Sequence, residues 1–142
     1  MNVASLKLCK ELYEVSGWED TYMAWDVSDR TDLPFENVVI ADDVIFTYFP
    51  AYDLGFLLRK LPLTTGFDNE KWEEVYGRSL PSYFFMARDL DTMDNKWRVQ
   101  YQGEDQEDVI EDTMFDADTP EDATAKLCID LFNQGVLKGG SR

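Results

Sequence analysis

Asp89-Leu90-Asp91-Thr92-Met93-Asp94-Asn95 has the alternating carboxylates with which a calcium loop begins. A complete loop of that kind also needs a central glycine for its sharp turn and a closing bidentate glutamate. Neither is present, so the segment reads as a polar turn. Glu104-Asp105-Gln106-Glu107-Asp108 could gather a divalent ion weakly, and reads more simply as a solvated loop. Paired carboxylates can act as general acid and base. With 29 Asp and Glu in the chain, no pair is singled out. Cys9 and Cys128 are the only thiols, and there is no histidine to activate either one, to ligate a metal or to switch charge near neutrality. The chain is therefore expected to be no enzyme and to use no cofactor and no metal.

What remains unusual is charge. The 29 acids face 13 bases, a formal net charge of −16. Such a chain is repelled by nucleic acid and by anionic membranes. The surplus is also unevenly spread. Residues 99–125 hold Glu104, Asp105, Glu107, Asp108, Glu111, Asp112, Asp116, Asp118, Glu121 and Asp122, with no base among them. Residues 11–58 hold eleven acids, including Asp42, Asp43 and Asp53, against Arg30 alone. The bases gather elsewhere, chiefly at Arg59, Lys60, Lys71, Arg78, Arg88, Lys96 and Arg98. One meaning of such runs is a solvated surface that aids solubility. The other is an array of carboxylates that occupies a basic groove built to neutralise phosphates, with fast and salt-sensitive association. The aromatics come next: Tyr83-Phe84-Phe85 and Phe46-Thr47-Tyr48-Phe49 must place rings on both faces of any strand they form. Either a second element covers the outer rings, or they form an exposed patch that anchors a partner.

The elements that must position these groups are partly legible. Leu8, Cys9, Leu12 and Val15 make the stripe of a helix over 4–16, and Gly17 is placed to stop it. Residues 18–25 suit a helix through Trp18, Tyr22 and Trp25 and a strand through Thr21, Met23 and Trp25, with the strand favoured. Residues 28–36 read as a loop. Residues 38–40 and 44–49 are rich in β-branched and aromatic residues and read as strands, turned at Asp42-Asp43, with Pro50 ending the second. Asp53 is placed as an N-cap for Leu54, Leu57, Leu58 and Leu61, and Pro62 closes that short helix. A weaker helical stretch covers 69–76, before Gly77. Residues 83–88 and 96–102 read as strands, and 109–115 can pair next. The last helix has Thr119 as N-cap, Pro120 at its first position and Glu121 and Asp122 at the positive end of its dipole. Gly135 and Val136 fit a Schellman stop against Leu131.

The 142 residues fit one domain, 1–138, with 139–142 a flexible tail or an added remnant outside the fold. The expected class is α+β: an antiparallel sheet covered on one face by the N- and C-terminal helices plus a short central helix. Cys9 and Cys128 face inward from the two terminal helices, and their sulfurs are expected to meet as buried free thiols without a bond. No apolar stretch approaches the roughly 20 residues that span a bilayer. A cytoplasmic protein is expected.

Three segments carry a resemblance: LCKELYEVSGW at 8–18, PAYDLGFLLRKLP at 50–62 and DTPEDATAKL at 118–127. They resemble segments of small phage and prophage proteins that have no assigned chemistry. The resemblance transfers no catalytic residue. It implies an inhibitor of host defence, of the anti-restriction or anti-CRISPR kind, that mimics nucleic acid. The partner would then be a basic host protein or ribonucleoprotein complex, met by residues 104–122 and by Asp42, Asp43 and Asp53. The alternative expectation is a protein-interaction or assembly module that uses an exposed aromatic surface, a second copy of the chain included.

Overall fold

A computed structural model describes residues 2–27, 36–40, 48–62, 64–65, 70–77, 82–88, 96–103 and 109–137. The first helix, α1, spans Leu6–Ser16 and buries Leu6, Cys9, Leu12 and Ser16 along one face. The Ser5 hydroxyl oxygen caps it by accepting the Leu8 amide at 3.4 Å. Gly17 takes the left-handed conformation at φ 67° and donates its N–H to the Tyr13 carbonyl, the stop that its position implied.

Strands β1 (Met23–Val27), β2 (Glu36–Ile40) and β3 (Tyr48–Ala51) form a three-stranded antiparallel sheet in the order β2-β1-β3. The favoured strand reading of the Trp18–Trp25 region therefore holds for its second half. The hairpin expected between the next two strands does not form. β2 and β3 run in the same direction on opposite sides of β1, so neither pairs with the other. The turn expected at Asp42 and Asp43 lies outside the described residues. Pro50 does not end its strand either. It sits inside β3 opposite Ala24, and β3 is an edge, where the missing N–H costs no ladder bond.

Helix α2 spans Leu54–Lys60 behind the Asp53 cap, whose Oδ1 accepts the Phe56 amide at 2.7 Å. Helix α3 covers Glu70–Tyr76 and stops at Gly77, with φ 66°. The second sheet is antiparallel in the order β4-β5-β6-β7. Its strands are β4 (Thr64–Thr65), which the sequence did not announce, β5 (Ser82–Arg88), β6 (Trp97–Gln102) and β7 (Val109–Ala117). The β6–β7 register slips between Val99 and Tyr101. There the Thr113 hydroxyl stands in for the ladder, accepting the Tyr101 amide at 2.9 Å and donating to the Ile110 carbonyl at 2.7 Å.

Helix α4 (Pro120–Asn133) is the hub, packing against α1, α2, β6 and β7. Thr119 caps it through the Asp122 amide at 3.1 Å. At its end Gly135 donates to the Phe132 carbonyl and Val136 to the Leu131 carbonyl, the paired bonds of a Schellman motif. Asp122 also accepts the Ser5 amide at 2.6 Å, which ties the start of α1 to the start of α4. One apolar cluster joins Cys9 and Leu12 of α1, Phe56 and Leu57 of α2, Trp72 of α3, Val99 and Tyr101 of β6 and Leu127, Cys128 and Leu131 of α4. The class is α+β, as the element order implied. The sheet is divided in two, because α2 and α3 carry the chain from β3 to β5 and begin a new set of pairings.

Candidate functional site

Alternation along β5 sorts its aromatics. Phe84 and Met86 face the core, and Phe84 meets Tyr101 edge-on at 5.8 Å between ring centroids. Tyr83 and Phe85 face the other way and remain 38% and 41% exposed. The register extends this outer face across the sheet. Tyr83 pairs with Gln102, which pairs with Val109; Phe85 pairs with Gln100; Ala87 pairs with Arg98, which pairs with Asp116. Gln100 is buried at the centre, and its amide donates to Gln102 Oε1 at 3.0 Å. On β7, past Val109 and Ile110, Glu111 and Asp112 are exposed where the register slips, and Asp118 is exposed just before the α4 cap.

The carboxylates expected to act together have divided roles. Asp53 is committed to capping α2. Asp116 is held in a two-point pair by Arg98, Nε to Oδ1 at 2.7 Å and Nη2 to Oδ2 at 3.1 Å. That hydrogen-bonded guanidinium holds its carboxyl below the usual range, and Lys126 donates to its backbone carbonyl at 3.0 Å. Among the described residues no base pairs with Glu111, Asp112 or Asp118. Asp42, Asp43, Glu104, Asp105, Glu107 and Asp108 lie outside the described residues. One carboxylate escaped sequence reasoning: burial, and then Asp112 on the neighbouring strand, raise the Asp130 carboxyl, while a hydrogen bond with Gln134 opposes the shift. Its place on α4 gave no hint of this, since the β7 charge reaches it only in three dimensions.

The thiols are buried and free. α1 and α4 pack against each other, as the inward-facing cysteines implied. Cys9 donates to the Ala4 carbonyl at 3.4 Å, and burial pushes its thiol up to about 11. Burial raises Cys128 further. Neither forms a nucleophilic thiolate near neutrality. Among the described residues no group of three or more Cys, Asp or Glu converges on a metal position, and no helix is long and apolar enough to cross a membrane. The segment read as a polar turn at 89–95 lies outside the described residues.

Three other aromatic groups already have cations over them. Lys10 Nζ lies 5.1 Å from the Phe49 ring centre, and Lys60 Nζ lies 5.4 Å from Trp18 and 5.3 Å from Phe56, which Arg59 also approaches. Among the described residues no cation lies over Tyr83 or Phe85. No protein-family model, curated protein or solved structure gives a significant match to the chain.

Proposed function

We propose that this chain is a non-enzymatic binding protein that occupies a basic surface on another protein. In the reading we favour, it is a phage-type inhibitor that blocks a nucleic-acid-handling defence complex of the host by presenting carboxylates where phosphates would lie. The observation that carries the reading is β7, which exposes Glu111 and Asp112 without a paired base in a chain of net charge −16. Asp53 and Asp116 are engaged in internal bonds, so the array comprises Glu111, Asp112 and Asp118 together with Asp42, Asp43 and the acids at 104–108 in the sequence. Fields of one sign speed association with a surface of the opposite sign and make it salt-sensitive. The exposed rings Tyr83 and Phe85 favour a second reading, a protein-interaction module in which apolar burial leads and raised salt leaves binding intact.

The test is infection. Phage are plated on hosts carrying a CRISPR or restriction system, with the chain expressed inside them. The native chain is expected to restore plaques, and the variant with Glu104, Asp105, Glu107 and Asp108 all changed to Lys is expected to lose most of that rescue. Rescue undiminished in the reversed variant would contradict mimicry.

A further inference from the structure

We infer that the outer face of the β5–β7 sheet is where the basic partner docks, and that it selects arginine over lysine. The inference rests on the reading above and names the chemistry of its contact. Tyr83 and Phe85 project side by side from β5 with 38% and 41% of their surface open. Among the described residues, the chain's own lysines and arginines lie over Phe49, Trp18 and Phe56, and none lies over Tyr83 or Phe85. The only base paired into the described part of this face, Arg98, is bound to Asp116. The adjacent carboxylate on β7, Glu111, is exposed and has no described base beside it. The described part of the face therefore offers two open rings and an unpaired carboxylate, while its cations, Arg98 with Lys96 and Lys126, are gathered around Asp116.

A guanidinium suits both features. It is planar, stacks on an aromatic face and forms two parallel bonds to a carboxylate, whereas an ammonium is a compact and strongly hydrated point charge. Strands lie ~4.8 Å apart, so β5 and β7 are about 10 Å apart across β6. An extended segment laid over the sheet can place one arginine on the rings and a neighbouring one on Glu111. A second copy of this chain suits the face less well, because each copy brings a net charge of −16.

The probes are an oligoarginine and an oligolysine peptide of equal length, titrated against the full chain at low salt. The native chain is expected to bind oligoarginine about tenfold more tightly than oligolysine. Tyr83→Leu with Phe85→Leu keeps apolar surface but removes the rings. It is expected to abolish the preference and leave oligolysine affinity unchanged. The single variants are each expected to remove part of the preference, and they carry the test if the double variant does not fold. Changing Glu104, Asp105, Glu107 and Asp108 to Lys is expected to weaken both peptides and preserve their ratio. Equal affinities for the two peptides in the native chain, or a preference that survives removal of both rings, would overturn the docking face alone. No binding of either peptide would overturn the charge reading beneath it. A native dimer that the double variant converts to monomer would assign the face to a second copy and likewise overturn the inference.

Discussion

Asp116 and Asp130 have the same side chain and opposite electrostatic circumstances. Asp116 meets Arg98 across the β6–β7 ladder, and its carboxyl is held below the usual range. Its contribution to stability is present above the unfolded-state pKa and is lost as pH falls through the lowered one. An exposed pair of this kind contributes about 1 kcal/mol or less. Asp130 is raised, first by burial and then by Asp112. Its folded form holds the proton more tightly than the unfolded chain does, so stability falls as pH rises from the unfolded-state pKa to the raised one. Asp130→Asn is therefore expected to raise Tm by about 2 °C at pH 7 and to change nothing near pH 3. Thermal melts at the two pH values check this; a Tm that falls at pH 7 would mean that the hydrogen bond with Gln134 outweighs the charge.

At the scale of elements, what was legible in the sequence follows the range of the signal. α4 was readable from end to end because its cap, its first-turn proline and its Schellman stop are written within a few residues of its ends. Asp53 and α2 were readable for the same reason. Pairing was not. That β1 lies between β2 and β3, and that Pro50 belongs inside an edge strand, depends on contacts made by residues far apart in sequence. β4 is two residues long and carries no periodicity to read. The candidate site divides in the same way. That Tyr83, Phe84 and Phe85 must put rings on both faces follows from strand alternation alone. That Arg98 would neutralise Asp116 needs the β6–β7 register. The cap itself is testable: Thr119→Ala removes the acceptor for the Asp122 amide and is expected to cost about 1 kcal/mol, read as a lower urea midpoint with an unchanged slope. An unchanged midpoint would show that the tie between Asp122 and the Ser5 amide holds the end of α4 without the cap.

For the whole molecule, the net charge of −16 is the dominant property, and it carries a cost. Like charges repel within the compact state, and a surplus this size is retained against that repulsion. Among the described residues, Asp53 caps α2, Asp122 joins α1 to α4, and Asp116 pairs with Arg98. Glu111, Asp112 and Asp118 hold no described base, which leaves them available to a partner's. The most direct measurement is the affinity of the purified chain for the host defence complex that the infection test singles out as its proposed partner, taken without nucleic acid over a series of salt concentrations. Affinity is expected to fall at least about tenfold from 0.1 to 0.5 M salt, and the fall to flatten when Glu104, Asp105, Glu107 and Asp108 become Lys. An affinity that does not change with salt, or that the four reversals leave intact, would contradict mimicry.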